Sequence, residues 1–275
     1  MSGVLSFAGK KVVVTGAYSG IGAALVGLLR QAGADQIVVL DIKEPEFQVD
    51  QFIETDMGNP VSIDSAVAEI GADERPVDVL FNNAGVAATL PADTVMRVNI
   101  LGLKRLTRAL MPKMQAGGAI VNTASIAGNR WPEHLVQING LLAIDSWDEG
   151  AAWVADNQEV VADGYFFSKE CVQVFTMQTA KEATSHGLRI NSVCPSPVDT
   201  PLLPAFRETM TDQAIDWAID AGAGRVATPE DQAQALLFLG SDLASYINGV
   251  NLLVDGGFTA AMQMGQVALP GQAEA

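Results

Sequence analysis

Tyr165 and Lys169 stand four residues apart in the stretch ADGYFFSKEC, 162–171, a spacing that brings a phenol and an ammonium onto one face of a helix. A free phenol loses its proton near pH 10. A neighbouring ammonium stabilises the phenolate and lowers that value, so the pair reads as a proton donor and the cation that tunes it. The same spacing also describes an ordinary helix with a solvated lysine and a core tyrosine, and the pair alone does not separate the two. A second cluster, TGAYSGIG at 15–22, suits phosphate. Gly16 permits a tight turn, Gly20 lets the backbone approach a pyrophosphate, and Gly22 lets a helix pack closely on a strand. The first N–H groups of that helix then face the phosphate charge. Asp41 closes the next apolar run, where a carboxylate accepts from the adenosine ribose hydroxyls and repels a 2′-phosphate, so NAD is expected over NADP. Lys43, two residues on, works against that preference.

These groups need a sheet to hold them. Apolar, β-rich runs at 10–16, 36–41, 52–56, 77–85, 118–125, 188–195 and 251–257 alternate with helical patterns at 20–32, 61–70, 94–114, 166–186, 204–220 and 230–240. Such alternation predicts one α/β domain over 1–275, a doubly wound (Rossmann-type) parallel sheet with helices on both faces. One segment breaks the rhythm: about forty residues separate Ser125 from Tyr165, longer than a usual strand-to-helix connection. Its apolar and aromatic spacing predicts a helical insertion at about 132–163, serving as lid, substrate wall or subunit contact. The tail after Ala261 is expected either to dock or to fray.

Composition narrows the function classes. An apolar fraction of 49% against 17% charged residues supplies a sizeable core. With 32 acidic and 16 basic residues the net charge is −16, which argues against nucleic acid or an anionic membrane as partner. Two cysteines, Cys171 and Cys194, and two histidines, His134 and His186, build neither a disulfide framework nor a metal-ligand cluster, so no metal is expected. No window approaches ~20 continuous apolar residues. The opening MSGVLSFAGKKVVVTG lacks a signal peptide's apolar run, and a cytoplasmic location is expected.

Several motifs in a fixed order carry a resemblance. With TGAYSGIG, Asp56 after the third strand, NNAG (82–85), Asn99 in MRVNILG, Ser125 in IVNTASIAG and YFFSK (165–169), the chain resembles the short-chain dehydrogenases/reductases over nearly its whole length. The resemblance implies a catalytic set of Asn99, Ser125, Tyr165 and Lys169. Tyr165 is then the general acid/base and Ser125 the second donor to the substrate oxygen. Lys169 tunes the tyrosine and holds the nicotinamide ribose, and Asn99 bends its helix and holds a water of the proton relay. The cofactor set becomes Gly16, Ser19, Gly20, Ile21, Gly22, Asp41, Ile42, Asp56, Met57, Asn83, Ala84, Gly85, Tyr165, Lys169, Pro195, Val198 and Thr200, holding NAD(H). One departure is local: Ser196 follows Pro195 where the family commonly has glycine, and a serine turns there if its φ stays negative.

The long Ser125–Tyr165 gap, TPLL (200–203) and VDGGFTAAM (254–262) resemble the bacterial 3α-hydroxysteroid dehydrogenase/carbonyl reductase group, in which such an insertion favours dimers over tetramers. A cluster of Trp147, Trp153, Leu141 and Leu142 would serve that end here, giving a homodimer or homotetramer. The segment 200–224 is expected to cover the substrate, with Leu202, Leu203, Phe206, Met210, Ile215 and Trp217 facing it and Asn129, Arg130 and Trp131 on the other side. The expected substrate is an uncharged, hydrophobic secondary alcohol or ketone, alicyclic, aromatic or steroid-like. The alternatives are a reductase of small carbonyls or acyl thioesters, and a non-catalytic NAD-binding sensor.

Overall fold

KVVVT, QIVVLD and VDVLFN are apolar on both alternations, as strands covered on both faces must be, and they form the middle of the sheet. The computed structural model describes residues 5–267. Its strands are β1 (Lys11–Thr15), β2 (Gln36–Asp41), β3 (Gln51–Glu54), β4 (Val77–Asn82), β5 (Met114–Thr123), β6 (Arg189–Pro195) and β7 (Asn251–Val254). All pairs are parallel, in the order β3-β2-β1-β4-β5-β6-β7. The order reverses between β1 and β4, and the crevice beyond their carboxyl ends is where such sheets bind ligands. Strand alternation splits the core. Val12 and Val14 pack on one face with residues of α1 (Gly20–Gln31) and a later helix at 229–240, while Val13 packs on the other.

On that second face lie α2 (Pro60–Ile70), α3 (Ala92–Met96) and α4 (Leu103–Leu110). The pattern over 94–114 predicts one continuous helix, but a π-helical turn, Arg97–Gly102, divides it. The apolar pattern does not mark this turn, because the stretch around it is buried all round, Asn99 to Lys104 in succession, and offers no one-faced period to interrupt. Next come α5 (Leu135–Leu142), α6 (Trp147–Asp156), α7 (Gln158–Val161) and the long α8 (Tyr165–Ser185). After β6, the expected helix over 204–220 is two: α9 (Leu203–Met210) and α10 (Asp212–Ala221), broken at Thr211, whose φ is 72° and whose side chain caps α10 by accepting from Ala214 N–H. α11 (Pro229–Gly240) opens with a capping box between Thr228 and Asp231. α12 (Phe258–Gln263) follows β7; the tail beyond 267 lies outside the described residues.

The segment between Ser125 and Tyr165 is filled by α5, α6 and α7, laid against α8 and α4. Trp153 stacks on Phe167 with centroids 5.9 Å apart and planes at 10°. His134 Nδ1 is 2.7 Å from Glu170 Oε2. Lys104 Nζ donates to the carbonyls of Leu142, at 2.9 Å, and Ile144. Phe167 lies two residues past Tyr165, roughly 200° around the helix. The inserted helices therefore pack on the back of α8, not over Tyr165. Leu141 and Leu142 are buried within the chain and Trp147 and Trp153 pack partly buried against the same core, so the cluster expected at a subunit contact is spent on docking the insertion.

Candidate active site

β1 ends at Thr15 and the chain turns at once through Gly16 (φ 68°) into α1. A Cβ on Gly16 would lie 2.5 Å from Ala84 Cα, so the loops after β1 and β4 touch at the point where strand order reverses. Thr15 Oγ1 accepts from the N–H groups of Asn83 (3.0 Å) and Ala84 (2.9 Å). Asn83 Nδ2 donates to Gly16 O at 2.9 Å, and Thr123 Oγ1 donates to Asn83 Oδ1 at 3.1 Å. Three strand ends are thus stitched side by side. Gly22 lets α1 cross this turn: a Cβ there would fall 2.2 Å from Gly16 O.

Ser19 is the N-cap of α1 but its side chain does not cap the helix, leaving the first N–H groups, around Gly20 and Ile21, for an anion. A Cβ on Gly20 would stand 3.1 Å from the Thr200 methyl, so any side chain there would fill the cradle a pyrophosphate requires. Asp41 ends β2 with its carboxylate accepting from Tyr18 N–H (2.9 Å) and Lys43 N–H (3.2 Å). Lys43 Nζ lies over the Tyr18 ring. Ile42 beside it is 63% exposed, an apolar surface open to an adenine. Asp56 turns one oxygen to Gly58 N–H at 2.7 Å, and Met57 is buried. Pro195 closes β6, Val198 bridges to Ala227, and Thr200 reaches back to Gly20. Ser196 is absent from the positive-φ residues, so the serine adopts the loop without strain. These groups fit a nicotinamide dinucleotide laid across the sheet's switch point.

The reacting side chains converge beside this cradle. Lys169 Nζ donates to Thr123 O at 2.9 Å and lies 5.8 Å from the Tyr165 ring centroid. A Cβ on Gly85 would be 3.3 Å from Asn99 Oδ1 and 3.5 Å from Lys169 Nζ, so the β4 loop passes directly over both. The π-helical turn aims Asn99 at that loop: its Oδ1 accepts from Val86 N–H (2.9 Å), and its Nδ2 donates to Val86 O (3.0 Å) and Ser168 Oγ (3.2 Å). Ser125 caps a short turn, its Oγ accepting from Ala127 N–H at 3.1 Å.

Burial dominates the electrostatics. Desolvation pushes the Tyr165 phenol up to about 12; the neighbouring Ser125 side chain pulls it down and Asp163 pushes it further up. Desolvation likewise brings Lys169 down to about 8, opposed by Cys194. The Lys169 ammonium donates to the Thr123 carbonyl, and burial of the phenol is the largest influence on Tyr165.

The residues of the expected substrate cover, the α9–α10 lid, divide. Phe206 of α9 meets the Tyr165 ring with centroids 4.9 Å apart. Ile215 is buried and Trp217 packs edge-on to Phe258 at 5.0 Å, while Leu202 stays exposed. Asn129 and Arg130, expected along the opposite wall, are engaged elsewhere: Asn129 bonds Gln173 and Thr259, and Arg130 pairs with Glu133. Trp131 packs partly buried against the core. A cavity of about 310 Å³ behind the lid, lined by Ser196, Ala218, Arg225, Gln232 and Gly257 among others, contains none of the four reacting side chains.

The site thus gathers a tyrosine–lysine pair and a serine at the carboxyl edge of a parallel sheet, beside a loop suited to phosphate, and comparison with known proteins says which family builds it. Residues 10–136 match the family model described as short chain dehydrogenase, and residues 152–259 the model described as enoyl-(acyl carrier protein) reductase. Coniferyl-alcohol dehydrogenase of Pseudomonas sp. strain HR199 is 35% identical over 252 residues, covering 91% of this chain and 97% of that one. Meso-2,3-butanediol dehydrogenase of Serratia marcescens is 30% identical over 277 residues, covering 94% and 97%. The crystal structure of 3-alpha-hydroxysteroid dehydrogenase from Pseudomonas sp. B-0831, complexed with NADH, superposes with a TM-score of 0.78 at 28% identity, covering 94% of this chain and all of that one. The chain belongs to the short-chain dehydrogenase/reductase family, nicotinamide-dependent oxidoreductases of alcohols and ketones.

Proposed function

We propose that this protein interconverts a hydrophobic secondary alcohol and its ketone, with NAD as the cofactor. The Phe206 ring against Tyr165 carries the substrate reading: the ring that bears the proton-transferring hydroxyl packs on an apolar side chain of the covering segment, beside which an alicyclic, aromatic or steroid-like group would rest. A neighbour named for a hydroxysteroid supports the secondary alcohol, while the relative named for coniferyl alcohol, a primary alcohol, supports only the aromatic, apolar character of the substrate. The basic residue of the lid, Arg207, is neutralised by Asp212 and Asp216, which argues against a phosphorylated or acyl-carrier substrate. Asp41, with Lys43 drawn to Tyr18, favours an unphosphorylated ribose.

A bound nicotinamide would supply the hydride acceptor or donor at the substrate carbon. In oxidation Tyr165, as phenolate, takes the alcohol O–H proton; in reduction the phenol returns it to the oxygen. Ser125 donates a hydrogen bond to that oxygen, where charge develops as the C–H bond breaks. Lys169, between Thr123 O and Tyr165, holds positive charge beside the phenol. Asn99 fixes the β4 loop above them. Two free, buried thiols, Cys171 and Cys194, support a reducing compartment, the cytoplasm. We also propose a homodimer.

The test is initial-rate NAD+ reduction across hydrophobic alcohols, steroids and terpenols included. Turnover is expected with some of them and lost in Tyr165→Phe, while NAD+ still binds. Turnover that survives in Tyr165→Phe, or that appears with small polar diols alone, would overturn the reading.

A further inference from the structure

Tyr165 and Lys169 begin a stripe along α8 that continues four residues on at Gln173, a side chain only 2% exposed. Its Nε2 donates twice: to the Ser125 carbonyl at 2.8 Å and to Asn129 Oδ1 at 3.1 Å. Asn129 Nδ2 passes the chain on to Thr259 Oγ1 at 3.2 Å. Thr259 lies in the first turn of α12, where Asp255 accepts from the N–H groups of Gly257 (3.0 Å) and Thr259 (2.9 Å). On this turn the lid rests. Phe258 meets Trp217 of α10, and a Cβ on Gly222, just past α10, would come within 2.9 Å of Asp255 O.

Ser125 is therefore bracketed from one helix face, with Lys169 holding the carbonyl of Thr123 before it and Gln173 holding its own carbonyl. The loop is pressed onto α8 at the same level: a Cβ on Gly128 would fall 2.5 Å from Lys169 O and 2.8 Å from Gln173 Nε2. Tyr165 rides on the helix and Ser125 on the loop, yet both must reach one substrate oxygen. The bond that locks loop to helix decides whether they do.

We infer that Gln173 is a positioning residue for the reaction proposed above. It fixes Ser125 relative to Tyr165 through the main chain and, by way of Asn129 and Thr259, ties that position to the seat of the α9–α10 lid. This rests on the dehydrogenase reading for its consequence in turnover, while the physical link itself is measurable without turnover.

The experiment combines hydrogen–deuterium exchange of the cofactor-free protein with steady-state kinetics for Gln173→Met, Thr259→Val and the double variant. Exchange over residues 124–131 and 212–222 is expected to speed up in both single variants, with 15–22 unchanged. In Gln173→Met, kcat for alcohol oxidation is expected to fall about 10- to 100-fold, as a displacement on the order of 1 Å would cost. NAD+ affinity stays within about twofold, and the double variant is no slower than the worse single one, as coupled sites behave. Unchanged exchange over 124–131 in folded Gln173→Met would overturn the inference. So would kcat and NAD+ affinity falling together in step with thermal stability. Should Gln173→Met not fold, Thr259→Val decides alone: it must speed exchange over 124–131, and its failure to do so breaks the link. Should the wild type oxidise no alcohol, the functional reading fails and the exchange results still decide this one.

Discussion

Lys169 shows what the site costs its own fold. Its ammonium is buried with the Thr123 carbonyl as hydrogen-bond partner, and desolvation brings it from 10.5 to about 8. Between those values the unfolded chain binds more protons than the native one, so this residue's contribution to stability rises with pH above 8. Below 8 the full burial penalty of the charge is present. Wild type without cofactor is therefore expected to gain about 2 kcal/mol relative to Lys169→Met between pH 7 and 9.5, read as the difference in denaturant midpoints. A pH-independent difference would contradict it. At the other end of the cleft, Asp41→Ala removes the charge that repels a 2′-phosphate, and the preference of kcat/KM for NAD+ over NADP+ is expected to drop at least about tenfold. Competition kinetics with both cofactors check it. Most of these side chains are legible in the sequence because their chemistry demands particular types at fixed spacings: Gly16, Gly20 and Gly22 before a helix, Asp41 at a strand end, Tyr165 four before Lys169. Gln173 carries the same spacing one step further, but an amide on a helix announces no chemistry until its partner carbonyls, Ser125 and Asn129, are known.

Helices and strands differ in how openly their residues declare them. β1, β2 and β4 stand out as unbroken apolar runs because both faces are covered, and α11 is announced by TPEDQ, with proline and acids in its first turn. What stays hidden is geometry that the apolar pattern does not mark. The π-helical turn before α4 and the break at Thr211 between α9 and α10 both fall in stretches whose periodicity reads as one helix. The insertion is visible as length and its docking is not, since which face it covers depends on a distant lysine. Lys104 donates to two carbonyls at the end of α5, and Arg108 pairs with Asp145 just beyond. Lys104→Met leaves those acceptors unpaired at a buried helix end, about 1–3 kcal/mol of destabilisation. Lower thermal stability and new proteolytic cleavage within 143–146 are expected, with KM for alcohol unchanged because α5–α7 lie on the back of α8. Cleavage confined to the lid at 203–221 would refute that placement.

At the scale of the molecule, the inserted helices take up the outer face of α4 and α8, and among the described residues the other flank of the sheet is left open. β7 is an edge strand, and around it Leu243, Tyr246, Val250 and Leu253 are all exposed, Tyr246 completely. An edge with unpaired backbone groups and apolar neighbours is a pairing surface, and two copies meeting there by a twofold axis make a closed dimer. Each chain brings a charge of −16, so long-range repulsion opposes the encounter and salt that screens it should strengthen association. Light scattering behind size exclusion is expected to return the mass of two chains, with the dimer persisting to lower concentration as salt is raised. Leu253→Glu places a charge in the apolar edge and should give monomers at the same concentration. Asp148→Lys, on the exposed side of α6, should leave the dimer intact. A tetramer would mean that the insertion's outer surface also joins subunits, and dissociation by Asp148→Lys instead of Leu253→Glu would move the interface to the insertion.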